Sequence, residues 1–187
     1  MDYKKELFGI LEKNMTEKGY KLFSGICKII PDIWNRPTAS TGKYHRKKNG
    51  EVSTNAEHTY DLVYATTKIS RMFNVNMKTP AADKLLIAAA LHDSLKYGML
   101  GNRPHTDSKH DKYAADMVSS NKENFEKIMT EEQFFVMEEM IRFHSGQWST
   151  DVINKHKFDF KDYNPETLFL HILDMLSTAA CIQTDLE

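Results

Sequence analysis

The chain is poor in cysteine and has almost no net charge. Its two cysteines, Cys27 and Cys181, lie far apart and make no pair at metal-binding spacing, so a reduced, intracellular chain is the simplest reading. Lysine plus arginine total 25 against 26 for aspartate plus glutamate, leaving a net charge of -1. No overall field therefore draws the chain toward nucleic acid or a membrane surface, and any anion site must come from a local patch. No apolar run approaches the length that spans a bilayer. The opening residues Met1 to Glu6 lack the apolar core of a signal peptide. A cytoplasmic chain with no membrane partner is expected. No strand run and no internal repeat stands out.

What is present suits one soluble domain. A length of 187 residues is enough for a sizeable core, and 41% hydrophobic with 27% charged residues is ordinary for a globular protein. The apolar spacing is helical, and it predicts an all-α fold of six or seven helices. Leu7, Ile10, Leu11 and Met15 mark a first helix, and Leu22, Phe23, Ile26, Ile29 and Ile30 a second that Pro31 stops. Residues 1–36 are expected to pack as helices on a core formed by 37–187. Glu57 to Asn74 reads as a helix whose inward set is Leu62, Ala65, Thr66, Ile69 and Phe73. Thr79-Pro80 opens the next as N-cap and first residue, and that helix is expected to end near Gly98. A further helix is expected from Lys109 to about Lys127. Thr130-Glu131-Glu132-Gln133 has the form of a capping box and opens another that His144 closes. The last starts at Asn164-Pro165 and is apolar nearly all round, which predicts a central position.

The stretch from Leu85 to Gly98 carries the chemistry. Seven apolar residues precede His92 and Asp93, which places the pair deep in the protein. A buried carboxylate is costly unless a cation or hydrogen-bond donors compensate it. Neighbours on a helix are about 100° apart, so both side chains can lean toward one edge and grip one divalent ion. Taken alone, such a pair reads as a core histidine bonded to its neighbour. The rest of the chain supplies partners. His58 lies one turn before Leu62 on an inward face. Asp174 is the only formal charge in the apolar run of the last helix, and a metal or an ion pair must balance it. His171, three residues earlier, could support Asp174 or pack elsewhere; packing elsewhere is favoured. Lys96 lies three residues past Asp93, so its ammonium can reach the same pocket. Residues 37–56 read as a long polar loop. Its Lys43, His45, Arg46, Lys47 and Lys48 form the most basic patch of the chain, either a solvated surface or a lid for phosphate.

The order His58, His92-Asp93, Asp174 resembles the HD superfamily of metal-dependent phosphohydrolases. Further motifs add to the resemblance. His92-Asp93-Ser94-Leu95-Lys96-Tyr97-Gly98 looks like the family's His-Asp helix with its following Lys and Gly. Lys109-His110-Asp111 with small residues behind it, and Ile141-Arg142-Phe143-His144, look like the third and fourth motifs. Ser40-Thr41-Gly42-Lys43-Tyr44-His45 resembles a loop of bacterial and phage HD hydrolases.

The resemblance implies a single helical HD-type domain and a phosphohydrolase that uses metal-bound hydroxide on a nucleotide monoester or diester. It makes His58, His92, Asp93 and Asp174 the metal ligands. His110 and His144 would hold a second ion or contact phosphate. Many two-metal members carry consecutive histidines at the fourth motif, whereas Ser145 follows His144 here, so one ion or two is left open. Mixed His and Asp donors suit Mn, Fe, Co, Ni, Zn or Mg. Asp93 and Lys96 are the expected catalytic residues, and Lys43, His45, His110 and His144 the expected substrate contacts. Trp148 and Tyr44 could stack on a base, with packing the alternative. The substrate would be a small nucleotide or a short oligonucleotide. The alternatives are a 3′–5′ exonuclease on RNA or single-stranded DNA and a non-catalytic module that binds a nucleotide or a protein. Members of the superfamily are often homodimers.

Overall fold

The computed structural model describes residues 1–39, 50–150, 161 and 163–178. The described chain is all-α. Eight α-helices follow in order: α1 Tyr3–Asn14, α2 Glu17–Ile26, α3 Asn55–Met72, α4 Pro80–Leu91, α5 His110–Ser119, α6 Lys122–Phe125, α7 Glu131–Phe143 and α8 Pro165–Thr178. A 3₁₀ turn spans Gly146–Trp148, and one isolated antiparallel bridge joins Pro37 to Thr54. No helix among the described residues is long and apolar enough to cross a membrane.

Threonine starts four of the helices. Thr16, Thr54, Thr79 and Thr130 each accept a backbone N–H of the first turn, and Thr130 with Gln133 completes a reciprocal capping box. Each cap satisfies a donor that the helix itself cannot.

α4 lies at the centre, packed against α2, α3 and α7. From Leu85 to Leu91 it is apolar on every side: Leu86, Ile87, Ala88, Ala89 and Leu91 are all fully buried. The alanine run keeps its surface thin, so neighbouring helices approach closely and deliver side chains to its C-terminal end. α1 packs along α3, and Leu7, Leu11, Met15, Phe23 and Ile26 join the same apolar core.

Four expectations need correction. The His-Asp helix stops at Leu91, not near Gly98. Beyond it, tight bonds from Ser94, Lys96 and Gly98 N–H to carbonyls three residues back replace the α ladder, and Gly98 turns the chain at φ +80°. The single helix expected over 109–127 is two. Ser120 and Asn121 bond through their side chains to the carbonyls of Asp116 and Met117, which competes with helix continuation and leaves α6 as one turn. Phe73 was expected inward and is 77% exposed, because α3 ends at Met72 and Asn74 reverses the chain at φ +58°. α8 is not buried all round. It packs on α3 and α7 through one face, with Leu170, His171, Leu173, Asp174 and Ser177 inward, while Ile172, Met175 and Leu176 face out.

Candidate metal centre

His58, His92, Asp93 and Asp174 converge at the C-terminal end of α4. His58 stands in the first turn of α3, His92 caps α4 with Asp93 next to it, and Asp174 sits on the inner face of α8. All four are buried. His58 Nε2 lies 3.1 Å from His92 Nε2 and 3.1 Å from Asp174 Oδ1. Asp93 Oδ2 lies 3.5 Å from His58 Nε2 and 3.4 Å from His92 Nε2, and Asp174 Oδ1 lies 3.7 Å from His92 Nε2.

A second pocket opens on the other oxygen of the same carboxylate. Asp93 Oδ1 lies 3.1 Å from His110 Nε2 and 3.5 Å from His144 Nε2, and those two nitrogens are 3.2 Å apart. His110 opens α5 and His144 caps α7, so the two pockets together draw on five helices. Asp93 faces both, one oxygen to each.

The hydrogen bonds on the far side of each ring decide what these nitrogens offer. His92 Nδ1 donates to the Ala89 carbonyl at 2.8 Å, His110 Nδ1 to Asp107 at 2.8 Å, and His144 Nδ1 to Ile141 at 2.7 Å. A carbonyl only accepts, so each Nδ1 carries a proton, which in the neutral form of the ring leaves the inward Nε2 bare. His58 Nδ1 lies 3.0 Å from the hydroxyl of Ser177.

Bare nitrogens facing one another and two carboxylates repel unless something positive stands among them. Asp93 Oδ1 is buried and receives no hydrogen bond among the described residues. A buried acceptor in that state carries a desolvation penalty that a cation removes. Metal–ligand bonds of about 2.0–2.2 Å put neighbouring donors roughly 3–3.5 Å apart, close to the spacing seen in both pockets. The residues present fit one or two divalent ions. His58, His92 and Asp93 form one group of close donors, and Asp93, His110 and His144 another.

Among the described residues, Lys96 is the cation paired with this centre. Its ammonium pairs with Asp93 Oδ2 and lies 3.4 Å from the Thr38 hydroxyl, and it is buried. One ammonium cannot balance two buried carboxylates. Burial favours the neutral acid at Asp93, but the Lys96 ammonium, with the imidazoles that face the carboxylate, outweighs it and holds the group well below the usual carboxylate range. Burial opposes charge at Asp174 too, and contact with His58 and the nearby imidazoles prevails, lowering it. Burial pushes the His58 imidazole down, against the pull of Asp174. The neutral imidazole is the form that binds metal.

Lys43, His45 and Tyr44 lie outside the described residues. Trp148 is 56% exposed in the turn that follows His144. His171 packs away from Asp174: its Nδ1 donates to the His144 carbonyl at 2.6 Å. Gly146, at φ +60°, lies against that ring, where a Cβ would come within 2.5 Å of it. Sequence reasoning missed Thr38 and Ser177. Thr38 sits in a loop without periodicity and left no signal. Ser177 did leave one, as a small polar residue one turn past Asp174 on the same face.

No curated protein sequence and no solved structure gave a significant match. A sequence model of the HD domain matches residues 55–179, which contain every donor of both pockets. The chain belongs to the HD domain family.

Proposed function

We propose that this chain hydrolyses a phosphate ester of a nucleotide, monoester or diester, at the centre bridged by Asp93. The observation that carries this reading is the single carboxylate with an oxygen toward each of two imidazole pairs. His58, His92, Asp93 and Asp174 hold one ion; Asp93, His110 and His144 hold a second or meet a phosphoryl oxygen. A bound divalent ion supplies water ionised near pH ~7 and positive charge for the phosphoryl oxygens.

The chain's own residues do the rest. Asp93 fixes the separation of the two pockets and, being acceptor-only, leaves no proton in the way. Lys96 reaches Asp93 and Thr38 with its ammonium and has a third donor for a phosphoryl oxygen, where charge builds in the transition state. The apolar end of α4 beneath the donors keeps bulk water from that side and strengthens each of these contacts. Lys43 and His45 are proposed as further phosphate contacts from the basic loop.

The test is a substrate screen of protein stripped with a chelator and reloaded with Mn or Co. Nucleoside mono- and triphosphates, cyclic and linear dinucleotides and short oligonucleotides are offered in turn. Turnover is expected after reloading and not before, on mono- or dinucleotides. Activity confined to oligonucleotides, with binding that collapses as salt rises, would point to an exonuclease instead. Reloaded protein no more active than its Asp93→Ala variant on every class would overturn the enzyme reading and leave a binding module.

A further inference from the structure

Three of the four histidines in the centre are held by their own turn. His92, His110 and His144 each donate Nδ1–H to the carbonyl three residues earlier. His58 is different. Its Nδ1 faces the Ser177 hydroxyl at 3.0 Å, on a helix 119 residues further along the chain. Ser177 is buried on the inner face of α8, one turn past Asp174. Its own proton goes to the Asp174 carbonyl at 2.7 Å. The oxygen therefore meets His58 as an acceptor.

The other nitrogen of the ring is contested. Asp174 Oδ1 lies 3.1 Å from His58 Nε2. A carboxylate at that distance favours a proton on Nε2, where it would occupy the lone pair that an ion needs. An acceptor at Nδ1 draws the proton to the opposite side of the ring.

We propose that Ser177 is the positioning residue of His58, holding the imidazole proton on Nδ1 so that Nε2 stays bare toward the first pocket. The proposal rests on the reading of His58 as a metal ligand. It also means that α8 brings two things to that pocket in one docking event. Asp174 supplies a donor, and Ser177 sets the tautomer of a donor on another helix. Outer groups of this kind fix the ring and its basicity, and their loss costs roughly 10–100-fold in metal affinity.

Two readouts test it. The first uses metal-free protein and a long-range ¹⁵N–¹H NMR spectrum of the histidine rings, with His58 assigned by its loss in His58→Gln. Wild type is expected to show the proton on Nδ1, and Ser177→Ala a shift toward Nε2. Ser177→Thr should keep the wild-type pattern, because a helical threonine can aim its hydroxyl at the preceding turn. Ser177→Val, with the shape of threonine and no hydroxyl, should behave as the alanine variant does. The second readout is a Co or Mn titration, in which the alanine and valine variants bind the first ion about 10-fold more weakly or worse and threonine binds as wild type. Alanine and valine variants that keep the Nδ1 tautomer and the wild-type affinity would overturn the proposal. Wild type that takes up no ion would overturn the functional reading, while the spectrum of metal-free protein still decides what Ser177 does to the ring.

Discussion

The two pockets share Asp93 and are otherwise built on different plans. The first gathers His58 from α3, His92 from α4 and Asp174 from α8, and one of its imidazoles leans on a side chain from a distant helix. The second uses His110 and His144, each held by a carbonyl of its own turn, and among the described residues adds no carboxylate beyond the shared one. The first is thus richer in negative charge and depends on the docking of α8. The second is poorer in charge and locally stiff. Charge favours tighter binding of a divalent ion in the first pocket. A neutral pair of imidazoles with one shared oxygen suits a weaker ion or a phosphoryl oxygen.

The largest effect should come from the shared residue. Asp93→Asn is expected to empty both pockets and lower turnover by about 10³-fold or more, read by metal analysis alongside the assay. A variant that keeps metal in either pocket would mean that the pockets do not depend on one carboxylate. Next, Asp174→Asn and His144→Gln should separate them. Asp174→Asn is expected to remove the tightly held ion and most activity. His144→Gln should spare that ion and remove any ion held in the second pocket. Equal losses from both variants would mean that the two pockets do not differ in how they hold an ion.

A smaller effect is expected from the clamp that docks α8. Lys84 on α4 is buried and pairs with Glu166 in the first turn of α8. Glu166 is partly open to solvent, so Lys84→Met should cost only about 1 kcal/mol, seen as a modest drop in denaturant midpoint. The sharper readout is metal affinity, which should fall in the first pocket and hold in the second.

The smallest effect concerns pH. The His58 imidazole is pushed below its ordinary value by burial, so between the two values the unfolded chain binds a proton that the folded one does not. Metal-free protein should therefore lose stability as pH falls through about 6.5, and His58→Gln should flatten that slope. Asp93 and Asp174 are also lowered in the fold, so their contribution disappears only at more acid pH, below the ordinary carboxylate value. A His58→Gln slope identical to wild type would show that another group titrates there.

Much of this arrangement was legible from residue types and helical spacing. Asp174 stood out as the one charge in an apolar run, and His92-Asp93 as a polar pair at the end of another. Each needed a partner, and the structure brings them within 4 Å of the same imidazole. Thr79 and Thr130 announced their helices because a cap is a local event. The misses were tertiary or concerned where helices end. The side chains of Ser120 and Asn121 broke a helix that periodicity alone would continue. α8 looked central because composition reports polarity and not the number of neighbours; among the described residues it has partners on one face, and its Ile172, Met175 and Leu176 stay outside. Ser177 was readable as inward but not as paired, since nothing in sequence links it to a ring 119 positions away.

The bond from an imidazole Nδ1 to the carbonyl three residues behind it recurs at the end of α4, at the start of α5 and at the end of α7. It needs four consecutive residues and no help from elsewhere. Such a turn is a self-contained unit that could be transplanted onto the end of an unrelated helix, where it would present a pre-set nitrogen donor. Three of these units aimed at one carboxylate from three directions amount to a recipe for building the same centre on a scaffold that has never held one.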